Sequence, residues 1–416
     1  MTPTRDSAAA RPGRYSAVTW AVVALALVLY YPTFSTGYGG TAIFLLAGDC
    51  MLQGKALADC SPGYSYPPFF GFFMIPLSLL PLWAGKLAWY GVVIATTYGC
   101  FRICETLTVE SFGLTRKELA WVRLFTVILS FKFVMAVFAN QAYDSLVFFF
   151  LLVGLYGLSK SRDFLGAFGL AAAAALKATP LLMLLYPLLH RKWKLFALGV
   201  VLCTGLSFLP DVLFPPSPPN AGYLQTWLVG FAGGGLFGTR PAEGYAQFFQ
   251  GSDHLNQSLK TFVYRLVDPR NLAWGDFTAQ VQVILYAVYV VYCLAALAII
   301  LRSAKMEGAH LWGASVVVIS MLMLSPISSK SHFVALLLPY MAIVAYLLKH
   351  RELWARAVPL LGASFVLNLL ASRFPAGRGL SMKMLSLGSI TIATLLLLAV
   401  VAVIVFRRGK DAKPAG

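Results

Sequence analysis

The chain has 416 residues, of which 59% are hydrophobic and only 12% are charged. Soluble domains carry about twice that fraction of charged residues, so an ordinary soluble protein is excluded. The net charge of +17 does not indicate a nucleic-acid partner, because the basic residues form short clusters between apolar segments, as the positive-inside rule describes. Composition therefore predicts a multi-pass protein of the inner, or plasma, membrane.

Apolar stretches recur from Val18 to Phe406. A crossing needs roughly 20 apolar residues, and lipid offers no partner to unpaired backbone groups, which favours helices. Placing the basic clusters in the cytoplasm predicts an all-α transmembrane bundle of about ten full crossings. We expect a single membrane domain over residues 1–416, with long extracytoplasmic loops at 35–82 and 214–279. Crossings are predicted near 18–34, 83–104, 119–138, 145–159, 195–213, 280–302, 310–324, 332–348, 357–371 and 385–406.

Residues 163–190 are too few for two crossings although basic residues flank both ends. Two full crossings would need about 40 residues. We therefore expect a re-entrant pair of short helices with Lys177-Ala-Thr-Pro180 at its tip. Broken backbone at membrane depth is tolerated inside protein or beside a cavity. Two short, tilted crossings are the alternative.

The tip of this pair is a candidate anion site. An ionisable residue at membrane depth is costly and indicates function, and the Lys177 ammonium would bind a lipid phosphate as a point charge. A salt bridge to Asp144 that only holds the bundle together is the alternative. Lys330 and His332 are further candidates for a phosphate, although His332 would also suit a structural role.

Polar residues in the predicted extracytoplasmic segments suit a sugar. Asn256 and Gln257, with Arg265 nearby, supply the mixed donors and acceptors that hydroxyl groups require. No residues have metal-ligand spacing, so no metal is expected. Cys50 and Cys60 share the first loop and would form a disulfide if that loop faces an oxidising compartment.

Several short motifs, taken in order, resemble glycosyltransferase family 87. They are Tyr66-Pro-Pro68, Asn140-Gln141, Lys177-Ala-Thr-Pro180 followed by Arg191-Lys-Trp193, Asn256-Gln-Ser258 with Arg265, and Leu324-Ser-Pro-Ile-Ser with His332. The resemblance spans roughly residues 16–350. It implies a GT-C-like fold and inverting transfer of a sugar from a polyprenyl phosphate to an acceptor on the outer face, with no nucleotide sugar, cofactor or metal.

One feature departs from the family pattern. An Asp usually opens the interfacial helix of the first loop, about fourteen residues before its closing glycine, and here that position falls on Gly40. The loop offers only Asp49 and Asp59, while Asp144 occupies a position where family members often have Asn. Either the base has moved, or the mechanism differs, or the protein is not a transferase.

The sequence-based hypothesis is a membrane mannosyltransferase, or a similar hexosyl- or pentosyltransferase, of cell-envelope synthesis. It uses a polyprenyl-phosphate-linked sugar and a lipid or glycan acceptor, among membrane lipids. The alternative is a non-enzymatic lipid-glycan carrier or assembly subunit. The assigned residues are Asp49, Asp144 and His332 for catalysis, Lys177, Lys330 and Arg265 for the donor phosphate, and Gln141, Asn256, Gln257 and Tyr66 for the sugar.

Overall fold

The computed structural model describes residues 17–36, 40–218, 220–233, 253–268 and 277–411, and every regular element in these ranges is helical. The predicted all-α architecture is confirmed. The helices are α1 (Ala17–Thr36), α2 (Gly40–Leu52), α3 (Leu57–Cys60), α4 (Pro68–Ser78), α5 (Leu82–Phe112), α6 (Arg116–Ala139), α7 (Asp144–Ser159), α8 (Asp163–Leu176), α9 (Leu181–Leu189), α10 (Trp193–Leu213), α11 (Tyr223–Trp227), α12 (Leu259–Val267), α13 (Ala279–Ser303), α14 (Ala309–Leu324), α15 (Leu337–Lys349), α16 (Trp354–Leu370), α17 (Arg373–Ser386) and α18 (Ser389–Asp411). A π-helical turn covers Leu228–Ala232, and 3₁₀ segments cover Lys330–Leu336 and Arg351–Leu353.

Each predicted crossing coincides with a helix, which confirms the polytopic bundle. By length and composition, seven helical segments in the described ranges can cross a membrane on their own. These are Leu82–Phe112, Arg116–Ala139, Trp193–Leu213, Ala279–Ser303, Lys330–Lys349, Arg351–Leu370 and Ser389–Arg407. Helices α7 and α14 are apolar but have only 16 residues each, about 24 Å against a hydrocarbon core of roughly 30 Å. Ten full crossings therefore stays a prediction.

The chain breaks between α8 and α9 at the tip proposed from the sequence. Helix α8 has 14 residues and α9 has 9, about 21 and 14 Å of helix, so each is shorter than the hydrocarbon core. Lys177 lies in the break with extended backbone angles, φ −155° and ψ 130°. Pro180 follows as the residue that precedes α9. These lengths favour the re-entrant pair.

Glycines bring α7 and α8 into close antiparallel contact. A Cβ atom at Gly157 would collide with the backbone of Gly166, and one at Gly169 would collide with the backbone of Gly154. The turn between the two helices spans only residues 160–162. Because α7 begins at Asp144 and α8 ends beside Lys177, this antiparallel packing places both charged residues at the same end of the bundle.

The first loop lies at that same end. Cys50 on α2 and Cys60 on α3 form a disulfide, and the backbone N–H of Gly40 donates to the carbonyl of Asn140 at 3.1 Å. Asn140 closes α6 immediately before the turn into α7. The end of the bundle that carries the disulfide, called the disulfide end below, therefore also carries Asp144.

We expect Gly157→Ala to destabilise the protein, because its methyl group has no room between α7 and α8. Overpacking of this kind costs about 1–3 kcal/mol in free energy of unfolding. Gly205 in α10 is the matched control, since nothing lies within 4 Å of a Cβ atom there and alanine is the better helix former. Melting temperatures of the two purified variants in one detergent measure the difference, and equal shifts would contradict the close packing.

Candidate functional site

Three charged or polar side chains assigned from the sequence meet at the disulfide end. Lys177 Nζ lies 2.8 Å from Asp144 Oδ1, and His332 Nε2 lies 3.6 Å from the same oxygen. The Asp144 side chain is only 5% exposed, against 15% for Lys177 and 14% for His332. The structure thus brings together one candidate base, one candidate phosphate ligand and a histidine.

Local structure explains why a carboxylate is stable here. Asp144 occupies the first turn of α7, where the partial positive charge of the helix N-terminus favours an anion. Lys177 reaches it from the break between α8 and α9, and its ammonium lies 5.4 Å from the ring centroid of Tyr143. The salt bridge allowed by the sequence is therefore present, and an aromatic face contributes to holding the cation.

The hydrogen bonds of His332 assign its tautomer. Its Nδ1 accepts from the backbone N–H of Ser329 at 3.3 Å. In a neutral imidazole whose Nδ1 is an acceptor, Nε2 carries the proton. Nε2 lies 3.6 Å from Asp144 Oδ1, so the protonated nitrogen of His332 is on the side of the ring that approaches the carboxylate.

A cavity of about 30 Å³ adjoins the cluster. It is lined by Asp144, Val147, Phe148, Leu151, Lys177, Thr179, Met321, Leu322, Ser325, Ser328, His332 and Ala335. Charged and polar groups therefore face aliphatic and aromatic ones across a space that would hold about two water molecules. A ligand that combines a charged group with an apolar chain fits this lining, although a sugar requires the cavity to widen.

The side chain of Gln141, predicted to bind the sugar, instead forms hydrogen bonds with the protein backbone. Its side-chain carbonyl accepts from the N–H of Thr41 at 3.1 Å, and its amide donates to the carbonyl of Phe34. Its own backbone carbonyl accepts from the indole of Trp89 at 2.9 Å. Gln141 also has a positive φ of 51°, which is uncommon outside glycine. It joins α1, α2 and α5 to the turn before α7.

Asn256 has a similar structural role. Its amide donates to the carbonyl of Pro326 at 2.9 Å, while its side-chain oxygen accepts from the N–H groups of Ser328 and Ser258. Ser328 lines the cavity beside Asp144. Asn256 therefore holds in place a loop that forms one wall of the site.

Gln257 retains one free acceptor. Its amide donates to the carbonyls of His254 and Leu385, at 2.7 and 2.9 Å, and its backbone carbonyl accepts from Thr391. Its side-chain oxygen is buried and has no hydrogen-bond partner among the described residues. A hydroxyl group of a ligand could still donate to that oxygen.

Arg265 uses only part of its guanidinium. Nη1 donates to the carbonyls of Asp253 and Asn256, whereas Nε and Nη2 are buried and lack partners in the described ranges. Burial lowers the pKa of Arg265 to about 10, opposed by the charge of Asp253, so the group stays charged at neutral pH. Arg265 does not line the cavity beside Asp144.

Asp49 lies outside the cluster. It is partly exposed on α2 and accepts a hydrogen bond of 2.6 Å from Gln53, one turn further along. The cavity lining does not include it. Of the two carboxylates assigned to catalysis, only Asp144 shares the buried site with Lys177 and His332.

Tyr66 connects the first loop to Asp144. Its ring centroid lies 4.6 Å from that of Tyr143 and 5.4 Å from that of Phe44. Burial and the nearby charge of Asp144 raise the pKa of the Tyr66 hydroxyl, so it stays a hydrogen-bond donor. Tyr66 also lines a smaller cavity together with Tyr223 and Trp227.

Lys330 does not line the cavity either. It is partly buried at the start of the 3₁₀ segment Lys330–Leu336. Lys132 of α6 carries the same sequence signal as Lys177, a lone lysine within an apolar helix, and its ammonium donates to the carbonyl of Asn368 at 2.6 Å.

In the described ranges, His, Cys, Asp and Glu side chains form no group of three or more that could hold a metal ion. That the reaction requires no metal and no cofactor stays a prediction.

Comparisons with known proteins identify a family. No curated protein matches the chain. Among solved structures, the chain is similar to ArnT from Cupriavidus metallidurans bound to undecaprenyl phosphate, with 14% identity, a TM-score of 0.45, and coverage of 96% of this chain and 79% of that one. The model of glycosyltransferase family 87 matches residues 64–326, more than half of the chain and a range that includes Asp144 and Lys177. The chain therefore belongs to glycosyltransferase family 87.

Proposed function

We propose that this membrane glycosyltransferase moves a sugar, mannose or a similar hexose or pentose, from a polyprenyl-phosphate donor to a lipid or glycan acceptor at the disulfide end. The observation that carries the proposal is the buried cluster of Asp144, Lys177 and His332. It joins a carboxylate to two groups suited to a phosphate, beside an apolar wall. Family membership supports the reaction class.

Asp144 is the proposed base. The acid expected from the family would stand at Gly40, whose backbone N–H donates to the carbonyl of Asn140. Asp144 follows Asn140 by four residues, where the turn between α6 and α7 ends. A carboxylate at Asp144 thus approaches the region of the missing acid from the opposite segment. Asp49 is at a disadvantage, because it lies nine residues, or about 13–14 Å of helix, beyond Gly40.

The proposed reaction proceeds in one displacement. Asp144 takes the proton of the acceptor hydroxyl as the acceptor oxygen forms a bond to the anomeric carbon. The bond between that carbon and the phosphate oxygen breaks, and the electron pair stays on the polyprenyl phosphate. Lys177 and His332 stabilise the charge that develops there. Val147, Phe148 and Met321 would contact the first part of the polyprenyl chain.

The ion pair of Asp144 and Lys177 couples donor binding to the activity of the base. An incoming phosphate would share the Lys177 ammonium with the carboxylate. A second anion close by raises the proton affinity of a carboxylate. Asp144 would then become the stronger base only when the donor is bound, which limits wasteful deprotonation.

The extracytoplasmic location of the site is part of the proposal. Disulfides persist in oxidising compartments, and Cys50–Cys60 lies at the disulfide end. The carrier or assembly-subunit alternative would use the same anion site without chemistry. Donor binding without any transfer by the wild type would favour that alternative.

We expect Ser217→Cys to react with a membrane-impermeant maleimide added to intact cells, and Lys305→Cys not to react. Both positions are exposed. Ser217 is tied to the first loop by a hydrogen bond of 2.8 Å to Gly54, whereas Lys305 follows α13. The background variant lacks Cys203 and Cys293. Labelling of Lys305→Cys from outside would overturn the proposed orientation.

We expect Asp144→Asn to lower the transfer rate by about 10²–10⁴-fold, the usual contribution of a general base. Asp49→Asn is the matched control, since Asp49 is partly exposed on α2, accepts from Gln53 and does not line the cavity beside Asp144. The assay follows transfer from polyprenyl-phosphate sugars by purified protein in lipid. Full activity of Asp144→Asn would exclude it as the base, and loss in Asp49→Asn alone would restore the first-loop acid.

Lys177→Ala should lose about 10²–10³-fold in transfer rate and also lose stability. Removing one partner of a buried ion pair typically costs about 3–5 kcal/mol. The double variant Asp144→Asn/Lys177→Ala separates the two effects, because it leaves no unpaired charge. It should recover much of the melting temperature and none of the activity. If the double variant recovers activity together with stability, neither Asp144 nor Lys177 takes part in the reaction and the ion pair is only structural.

A further inference from the structure

A buried carboxylate holds two arginines in the half of the bundle that lies away from the disulfide end. Both oxygens of Glu105 on α5 accept from Arg123 on α6, at 2.9 Å from Nε and 2.6 Å from Nη2. The Glu105 side chain is fully buried, whereas those of Arg102 and Arg123 are partly exposed. Helix α6 begins at Arg116 and ends before Asn140 at the disulfide end, so this salt bridge lies towards the opposite end.

Arg102 is the less well satisfied of the two cations. Among the described residues, its guanidinium has one hydrogen bond, from Nη1 to Glu105 Oε1 at 3.3 Å. The same oxygen already accepts the shorter bond from Arg123. An ionisable side chain within a membrane helix is costly unless it is paired, and it indicates a function. Because two guanidinium groups share a single carboxylate here, an anion beside Arg102 completes its pairing.

An apolar groove runs between α5 and α6. It has a volume of about 250 Å³, with Ile94, Tyr98 and Phe101 on one side and Val127 and Phe131 on the other. Tyr98, Val127 and Phe131 are also exposed on the surface of the bundle. The groove therefore opens sideways, towards the surrounding lipid, and its lining suits a hydrocarbon chain.

Helical spacing aligns this groove with the two arginines. Arg102 follows Tyr98 by four residues, and Arg123 precedes Val127 by four. Residues four apart lie on the same face of a helix, one turn from each other. The charged group is thus found one helical turn beyond the groove, at the end of the groove that points away from the disulfide end.

One hydroxyl group in the groove lacks a partner. Thr97 lines the groove, and its Oγ1 is buried without a hydrogen-bond partner in the described ranges. A helical threonine can donate to the carbonyl four residues earlier, as Thr96 does to Val92. Thr97 precedes Arg102 by five residues, about 7–8 Å of helix. A phospholipid has its ester carbonyls between its phosphate and its acyl chains, which is the order of Arg102, Thr97 and the groove.

We propose that Arg102 and the groove bind an anionic phospholipid, which joins α5 to α6 and is not a substrate. Its phosphate pairs with Arg102, an ester carbonyl accepts from Thr97, and one acyl chain fills the groove. A zwitterionic headgroup brings a second cation towards the arginines and is therefore disfavoured. In the proposed orientation this end lies in the cytoplasmic leaflet, which carries anionic lipids. The inference needs only a membrane around the bundle and does not depend on the transferase function.

The test measures lipid binding by the purified protein in detergent. Native mass spectrometry gives the apparent dissociation constant of the first bound molecule of dioctanoyl phosphatidylglycerol. Dioctanoyl phosphatidylcholine tests the charge of the headgroup, and inorganic phosphate tests the need for a lipid. Farnesyl phosphate, a short polyprenyl phosphate, reports on the proposed donor site at Lys177.

Two pairs of variants separate the headgroup site from the groove. Arg102→Gln removes the cation and leaves the bidentate salt bridge between α5 and α6 in place. Lys117→Gln, exposed in the first turn of α6, is the matched control for loss of a positive charge. Val127→Trp fills the groove, and Leu124→Trp is its matched control, because Leu124 is exposed on α6 and does not line the groove.

We expect Arg102→Gln to weaken phosphatidylglycerol binding about fivefold, the usual contribution of one basic residue near an anionic lipid. Val127→Trp should weaken it by at least as much, because the indole occupies the space of the acyl chain. Lys117→Gln and Leu124→Trp should bind phosphatidylglycerol like the wild type. Phosphatidylcholine should bind the wild type more weakly, and farnesyl phosphate should keep its affinity in Arg102→Gln.

A third variant keeps the test decisive if a larger change prevents folding, which melting temperatures and gel-filtration profiles identify. Thr97→Val preserves the shape of the side chain and removes its hydroxyl. It should weaken phosphatidylglycerol binding about two- to tenfold, the range for one lost hydrogen bond. Wild-type affinity in both Thr97→Val and Val127→Trp would exclude the groove as the site.

Other outcomes overturn the proposal in distinct ways. Equal affinity of the wild type for phosphatidylglycerol and phosphatidylcholine would exclude recognition of an anionic headgroup. Inorganic phosphate that binds as tightly as the lipid would exclude a lipid site. Equal losses in Arg102→Gln and Lys117→Gln would reduce the effect to general surface charge. Weakened farnesyl phosphate binding in Arg102→Gln would assign the site to the polyprenyl donor.

Discussion

The rest of the site depends on the buried ion pair between Asp144 and Lys177. Removing two charges from water is expensive, and mutual attraction compensates only when the geometry is good and further hydrogen bonds exist. Here the carboxylate also approaches His332 and lies in the first turn of α7, where the helix N-terminus favours an anion. The ion pair also constrains the positions of two helices. Helix α8 must end beside the start of α7, which requires the close glycine contacts between those helices. Helix packing and site chemistry therefore impose the same geometry.

Local sequence features were sufficient to predict much of this arrangement. Hydrophobic length and basic clusters located the long helices, as for α6, predicted near 119–138 and observed at Arg116–Ala139, although α5 continues to Phe112, eight residues beyond its predicted end at 104. The break at Lys177 was predictable because 28 residues cannot cross twice and because Pro180 interrupts helical hydrogen bonding. The salt bridge to Asp144 was predictable as an alternative because a lone buried cation needs a partner.

The roles of individual amides were not predictable, for a physical reason. Gln141 and Asn256 have the donors and acceptors that a sugar needs, but backbone groups at loop ends need the same partners. The choice between the two depends on residues distant in sequence, such as Phe34 for Gln141 and Pro326 for Asn256. Helix α17 was missed for a related reason, because its polar, glycine-containing sequence has no apolar periodicity and its position depends on packing against neighbouring helices.

The missing acid in the first loop and the presence of Asp144 have a common structural basis. At Gly40 a side chain would meet the ring of Phe44, which is fully buried and packs against Tyr66 and Tyr143. Tyr143 immediately precedes Asp144. The aromatic cluster thus fills the space beside position 40 and, through Tyr143, contacts the turn that carries Asp144. A carboxylate at position 40 would have to displace Phe44, whereas the carboxylate of Asp144 begins α7 and has Lys177 as its partner. The ring that would meet a side chain at position 40 therefore also packs against the residue that precedes Asp144, so that the two positions belong to one packed unit.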